Sequence, residues 1–160
     1  MSKEAKEEYN DNLKSIVFQL NNEEYALPVS YVGAIETMMP ITRVPGVPKY
    51  VKGVFNLRGV VTPIIDLRER FGFSSYEVTD STRIIILQIN DIEVGLIVDA
   101  AYDVVDIPRN TIEPSPEVIG SVQVDYIHGV AKLKDRLLIL LDMEKVLNQV
   151  EVKEPYQTES

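Results

Sequence analysis

Short apolar runs recur along the whole chain, separated by Asn, Asp, Gly and Pro, and this pattern predicts many short β-strands. The apolar stretch 16–29 is interrupted by Asn21-Asn22, and the stretch 83–98 is interrupted by Asn90-Asp91. Because Asn and Asp tolerate the left-handed backbone of a tight turn, each stretch predicts a β-hairpin. Strands this short and closely spaced are typical of small antiparallel barrels.

A third hairpin, followed by a short helix, is predicted within the stretch 53–72. Apolar runs lie on both sides of Arg58-Gly59, and Gly59 suits the positive φ of a tight reversal. Pro63 lies in the second run, and proline has no N–H to donate to a ladder. We therefore expect this strand at a sheet edge or with a bulge. Asp66 heads the string DLRE, which has the pattern of a capped helix start.

This arrangement occurs twice in the chain. The string GVAKLKDRLLILLDMEKVL, which begins at Gly129, aligns without gaps with the stretch from Gly53, so that Asp142 matches Asp66. FQLNNEEYALPV from Phe18 aligns in the same way with LQINDIEVGLIV from Leu87. Such self-similarity predicts two copies of one unit. We expect the copies to form two barrels that pack together and leave a groove at their seam.

The predicted organisation is a flexible arm at 1–13, a domain at 14–152 and a loose tail at 153–160. A polar segment before residue 82 separates the copies, which gives subdomains at 14–80 and 81–148. Exchange of an end strand between the two barrels is an open alternative.

Two segments are less well defined by their pattern. Residues 29–36 fit either one helical turn or an extended strand, and periodicity leaves both open. The chain is expected to close with a helix at 143–148, and Val150 and Val152 are candidates for a last short strand.

Composition narrows the classes of function. The chain has 160 residues, 45% of them hydrophobic, which is enough to bury a core. No apolar run approaches the length of a membrane span. The absence of cysteine excludes disulfides and thiolate chemistry, and a cytoplasmic protein is expected. The net charge of -9 disfavours electrostatic binding to nucleic acid or to anionic membranes, and no direct membrane insertion is expected.

The candidate catalytic groups favour a structural interpretation. Asp66 and Asp142 occupy matching places and could share a proton as the aspartic-protease pair does, but helix N-caps explain both. His128 is the only histidine, with no second His or Cys to complete a metal site. No glycine motif for phosphate is present. We predict no enzyme, cofactor or metal. An aspartate-pair enzyme and a nucleic-acid-binding barrel are the alternatives to a scaffold.

Arg58 allows two interpretations. An arginine beside a turn is most often a solvated residue, but its planar guanidinium can also bond carbonyls or carboxylates of a docked partner. The second copy has Lys134 and Asp135 at the matching places, so the two hairpin tips differ in chemistry.

Four strings resemble motifs of the CheW family of chemotaxis coupling proteins: GVFNLRGVVTPIIDL from Gly53, EEYALPV from Glu23, EVGLIVD from Glu93 and DRLLILLDMEKVL from Asp135. The resemblance covers residues 15–150. It implies two packed SH3-like five-stranded barrels without catalytic activity. It also implies an adaptor that links the cytoplasmic tip of a methyl-accepting chemoreceptor to the regulatory domain of the histidine kinase CheA, in the cytoplasm at membrane-associated arrays. That regulatory domain shares the fold, but nothing here resembles a kinase ATP-binding segment.

The resemblance also implies which residues face each partner. The receptor groove would contain Val32, Ile35, Arg58 and Val104. The kinase-facing surface of the first barrel would contain Ile41, Lys52, Gly53 and Val61. A second kinase contact, on the second barrel, would contain Glu117 and Val118. Two positions depart from the family pattern: Ala34 replaces a Glu that many members have, and the smaller Val118 stands where an aromatic residue can occur.

Overall fold

The computed structural model describes residues 11–114, 118–119, 122–123 and 126–147. The strands in these ranges are β1 Asn12–Leu20, β2 Glu23–Pro28, β3 Val32–Thr37, β4 Val51–Leu57, β5 Val60–Asp66, β6 Arg83–Ile89, β7 Ile92–Val98, β8 Ala100–Pro108, β9 Ile112–Glu113, β10 Val118–Ile119, β11 Val122–Gln123, β12 Ile127–Leu133 and β13 Arg136–Leu141. The α-helices are α1 Leu67–Arg70 and α2 Met143–Leu147, and 3₁₀ turns span Val29–Tyr31 and Arg109–Thr111.

The strands form two main sheets, which confirms the predicted mainly-β class. Sheet A has the order β8-β1-β2-β13-β12-β9, and sheet B has the order β3-β6-β7-β5-β4. The two sheets are consistent with the predicted pair of SH3-like five-stranded antiparallel units, with two differences in detail. Sheet A has a sixth strand, and each sheet holds one parallel pair, β2 with β13 and β5 with β7. Within the described residues, no ladder closes either sheet on itself.

The parallel pairs arise because the two halves of the chain exchange their opening hairpins. The β1–β2 hairpin lies in sheet A between β8 and β13, which come from the second half. The β6–β7 hairpin lies in sheet B between β3 and β5, which come from the first half. The sheets therefore do not follow a division of the chain at residue 80.

An apolar layer between the sheets accounts for this exchange. Sheet A contributes Phe18, Tyr25 and Ile139 to the layer, and sheet B contributes Leu87 and Leu96. The opposite face of each sheet buries a smaller cluster of its own. Strands buried on both faces read as continuous apolar runs, which explains RIIILQI in β6 and RLLILL in β13.

Arg70 lies where the two halves meet. Its guanidinium carbon lies 4.7 Å from the ring centre of Tyr50 and 5.0 Å from that of Tyr126. Its Nε donates to the carbonyl of Val146 at 2.8 Å. The two tyrosines precede Gly53 and Gly129 by the same three residues, so one cation bridges matching places of the two copies.

The predicted turns are confirmed, with one addition. Asn21, Asn22, Asn90 and Asp91 all have positive φ, as expected of tight hairpin turns. In the β4–β5 turn, the positive φ is not restricted to Gly59, because Arg58 has a φ of 52°. A two-residue hairpin loop of type I′ requires positive φ at both central residues, and Arg58 and Gly59 both meet this requirement.

The expectation for Pro63 was wrong, because β5 lies inside sheet B and no bulge falls at this residue. Pro63 is opposite Val54, whose backbone N–H and carbonyl bond outward to Thr42. The parallel pairing of β5 with β7 begins at Ile64. Neither neighbouring strand therefore needs a ladder bond from the proline nitrogen.

The segment 29–36, which its pattern left open, contains a 3₁₀ turn followed by β3. The helix expected at 143–148 is confirmed as Met143–Leu147 within the described residues. β1 begins at Asn12, slightly before the predicted start of the domain. Val150 and Val152 lie outside the described residues.

Gly53 and Gly129 mark matching bulges, at which β4 and β12 shift register against their hairpin partners. A Cβ on Gly53 would overlap the carbonyl oxygen of Thr42, and a Cβ on Gly129 would lie 2.7 Å from that of Glu113. In both copies a neighbouring segment thus approaches the hairpin more closely than any side chain permits.

We expect Gly53→Ala to lower the free energy of unfolding by about 3 kcal/mol, because it adds a backbone clash to a φ of 146°. Gly46→Ala is the matched control, since Gly46 has a φ of 81° but no atom within 4 Å of the place that a Cβ would occupy. It should cost only the left-handed penalty of about 1 kcal/mol. Urea unfolding measures both, and equal losses would contradict the clash.

Candidate partner-binding surfaces

Ile35 and Val104 lie on the edge strands β3 and β8, in matching positions of the repeat. Ile35 is opposite Ile85, and Val104 is opposite Ile16. Ile85 and Ile16 both belong to the layer between the sheets, and opposite residues in a ladder share a face. Ile35 and Val104 therefore point toward the seam, yet remain 41% and 52% exposed.

Val32 extends this apolar surface inward. It is half-buried and packs against the layer between the sheets. β8 contacts β6, the strand that neighbours β3, so the two edges border the same part of the seam. Three of the four predicted receptor residues thus border this seam, Val32 and Ile35 from sheet B and Val104 from sheet A.

Arg58 is separate from these three residues in the strand order. It is exposed at the tip of the β4–β5 hairpin, and β4 is the edge of sheet B opposite to β3. Gly59 in the same turn donates its N–H to the side chain of Asn56 at 2.8 Å. This bond and the left-handed backbone of Arg58 hold the tip in a defined conformation.

Ile41, Lys52 and Gly53 lie together at the β4 edge. Ile41 is half-buried against the inner cluster of sheet B and lies beside the buried Gly53. Lys52 occupies the β4 bulge and forms an ion pair with Glu69 of α1. Of these residues, Gly53 presents no side chain, so its effect on any partner surface is through the path of the strand.

Val61 lies at the start of β5 and is 59% exposed. Val60 and Ile92, which the sequence interpretation missed, are also exposed, at 48% and 45%. Ile92 begins β7, the parallel neighbour of β5, and the two strands are also bonded there from Thr62 to Glu93. The available signal for both was their place next to a turn, because Val60 directly follows Arg58-Gly59 and Ile92 directly follows Asn90-Asp91.

The predicted second kinase contact is only partly described. Glu117 lies outside the described residues. Val118 lies in β10, opposite Gln123 of β11, and its side chain is not described.

The two aspartates are helix caps, as predicted. Asp66 accepts the N–H of Arg68 at 3.1 Å, and Asp142 accepts that of Lys145 at 3.2 Å. Asp66 also accepts bonds from Ser75 Oγ and the Tyr76 N–H. Burial raises the pKa of Asp66, and the bond from Tyr76 acts in the opposite direction. No described hydrogen bond joins the two carboxylates.

Neither a metal site nor a membrane span is found in the part of the chain that the structure describes. No group of three or more His, Asp or Glu residues there is arranged to hold a metal ion. His128 is exposed on β12. Both described α-helices are far too short to cross a bilayer.

Comparison with known proteins finds similarity to one family over most of the chain. The protein-family model for the CheW-like domain matches residues 14–151. The chain is 48% identical over 136 residues to the chemotaxis protein CheW of Bacillus subtilis, a match that covers 85% of this chain and 87% of that protein. This chain belongs to the CheW family.

Other CheW proteins extend the comparison. The chemotaxis protein CheW of Helicobacter pylori is 37% identical over 148 residues, which cover 91% of this chain and 88% of that protein. The crystal structure of the scaffolding protein TtCheW from Thermoanaerobacter tengcongensis matches with a TM-score of 0.78 and 35% identity. That match covers 85% of this chain and 88% of TtCheW.

One polar network in this CheW-family chain was not foreseen from the sequence. Arg136 Nε and Nη2 bond the two carboxylate oxygens of Glu24, each at 3.1 Å, and Nη1 bonds Asp103 at 2.9 Å. The hydroxyl of Tyr102 donates to Glu24 at 2.6 Å. The repeat alignment contained a signal for this network, because it matches the charged Arg136 with the apolar Val60.

The network shifts the titration of its members. Hydrogen bonds from Arg136 and then from Tyr102 lower the pKa of Glu24. Burial, followed by the bond to Glu24, raises the pKa of Tyr102 to about 12. The bonds to Glu24 and Asp103 raise the pKa of Arg136, so Arg136 and Glu24 form a charged pair at neutral pH.

The lowered pKa of Glu24 predicts the pH dependence of its contribution to stability. Ionised Glu24 stabilises the fold above its unfolded pKa of about 4.3, and this contribution is lost as the pH falls through the folded pKa. We expect Glu24→Gln to cost about 1 kcal/mol at pH 7, with a progressively smaller difference from the unmodified protein below pH ~4. Urea unfolding from pH 3 to 7 tests this, and a pH-independent difference would contradict it.

Proposed function

We propose that this protein is a non-enzymatic scaffold of chemotaxis that couples methyl-accepting chemoreceptors to the histidine kinase CheA. The observation that carries the proposal is the CheW-like domain over residues 14–151. The relatives are chemotaxis proteins by name, and the matched structure is that of a scaffolding protein. Capping roles for both matching aspartates support a scaffold rather than an aspartate-pair enzyme.

The receptor side of the proposal uses the open seam. Val32 and Ile35 of sheet B and Val104 of sheet A offer aliphatic surface along the seam, which suits the apolar stripe of an amphipathic helix. Arg58, exposed at the β4–β5 tip, supplies a planar donor for carbonyls or carboxylates at the margin of the docked helix.

The kinase side of the proposal uses the β4–β5 hairpin. Val61, together with Val60 and Ile92, supplies exposed aliphatic surface near its tip. Ile41, Lys52 and Gly53 shape the adjoining edge of sheet B. Glu117 and Val118 remain the proposed second contact. The protein would act in the cytoplasm, recruited to receptor arrays at the membrane.

Arg58→Glu should weaken receptor binding at least ~10-fold without loss of fold, because it replaces the donor with a carboxylate. Lys134→Glu makes the same change of charge at the matching hairpin tip and should retain receptor affinity. Titration calorimetry against a receptor-tip fragment, with circular dichroism as the check of folding, measures both. If Arg58→Glu and the unmodified protein bound the receptor fragment with equal affinity, Arg58 would not be part of the receptor-binding surface.

Val61→Asp should weaken binding to the CheA regulatory domain by about 10-fold and leave receptor binding intact, since a charge would be buried in an apolar contact. Val78→Asp is the control, because Val78 is 62% exposed and lies in the connection between the copies. If Val61→Asp affected both partners equally or neither, the proposed division of the surface would be wrong.

A further inference from the structure

The polar network around Arg136 supports one wall of the seam, and the described residues form no such network at the other wall. The walls are β3 and β8, both edge strands that pair on one side only. An edge strand is held by a single ladder, so its position is less constrained than that of an inner strand.

Each wall carries a β-bulge just before its exposed aliphatic residue. In β8 the extra residue is Tyr102, because Ala101 is opposite Phe18 and Asp103 is opposite Val17. In β3 the register shifts in the same way between Val32 and Ala34. A bulge bends its strand and re-aims the side chains beyond it, which here are Val104 and Ile35.

Among the residues that the structure describes, side-chain bonds fasten only the bulge in β8 to the rest of its sheet. Arg136 begins β13, three places from β8 in sheet A, and reaches Asp103 of the bulge through Nη1 while it holds Glu24 of β2 with two further nitrogens. Tyr102, the extra residue of the bulge, bonds the same Glu24. Both bulge residues are thus tied to strands beyond their one ladder partner.

The other copy indicates that the fold itself does not need this network. At the matching places it has Val60 for Arg136, Ala34 for Asp103 and Gly33 for Tyr102. Glu93, the counterpart of Glu24, is bonded instead by Thr62 and Gln88. Sheet B forms an equivalent bulge with none of the three bracing side chains.

We propose that Arg136 is a positioning residue for the receptor groove: through Glu24 and Asp103 it holds the β8 bulge and thereby sets the position of Val104 at the seam that Ile35 also borders. This inference rests on the proposed function, because it concerns the groove assigned there to the receptor. Arg136 need not touch the receptor, since its side chain and that of Val104 belong to opposite faces of sheet A.

Arg136→Met tests the inference, because it keeps much of the side-chain length and removes all three charged bonds. Receptor-fragment affinity should fall about fivefold or more, while affinity for the CheA regulatory domain stays within twofold of the unmodified protein. Amide hydrogen exchange in β8 around Asp103–Val105 should accelerate relative to exchange in β3. Arg136→Lys retains one charge without the planar fork and should give an intermediate effect.

Lys132→Met is the matched control, since it makes the same change of charge on the neighbouring strand β12 and should leave both affinities unchanged. If Arg136→Met is poorly folded, Tyr102→Phe removes a single bond of the bulge and should still weaken receptor binding without affecting kinase binding.

Three results would overturn the inference: unchanged receptor affinity in folded Arg136→Met, equal losses for both partners, or unchanged exchange in β8. Failure of the unmodified protein to bind the receptor fragment would instead refute the proposed function. The exchange measurement would then still decide whether Arg136 holds β8 in place.

Discussion

Burial of a single apolar layer between two sheets is the constraint on which the rest of the molecule depends. The layer takes Phe18 and Tyr25 from one opening hairpin and Leu87 and Leu96 from the other. Each hairpin completes the sheet of the opposite half, so neither half has a complete sheet of its own. The two copies therefore form one unit, in which the loss of either hairpin would leave apolar faces of both sheets uncovered.

The same exchange determines where partners can approach. With the hairpins in the interior of the sheets, β3 and β8 remain as edges that border the seam. Their aliphatic residues face the buried layer but lie beyond its covered part, which leaves Ile35 and Val104 exposed. The proposed kinase surface depends on another consequence of the repeat, namely that the β4–β5 hairpin extends past the core and exposes Val61 at its end.

Duplication supplied a common frame, and divergence of a few side chains gave the copies different surfaces. Both copies keep the left-handed turns, the glycine bulge and the aspartate cap. The copies differ in the side chains of one cluster. Sheet A holds Arg136 and its carboxylate partners, whereas sheet B has Val60, Thr62 and Glu93 at the matching place. The charged network is partly exposed, so its value lies more in fixing geometry than in stability.

Local features were predictable from the sequence because they depend on neighbouring residues. Asn21-Asn22 and Asn90-Asp91 specify their turns through their own backbone preference, and Asp66 and Asp142 cap the helices that begin directly after them. The repeat and the family motifs extended these local assignments to the fold class and to candidate partner residues. The prediction for Pro63 was wrong because the effect of its missing N–H depends on which strands lie beside β5. The residues around Pro63 do not identify those neighbouring strands.

By itself, the sequence determined which residues turn, which are buried and which units are repeated, because backbone propensity and periodicity act within a few residues. Only the tertiary structure decided that the hairpins cross between the sheets, that β5 is an inner strand and that Arg136 reaches Glu24 and Asp103. An apolar run signals that it must be buried but not against which partner. That choice depends on the shared layer, which forms only when residues far apart in the chain come together.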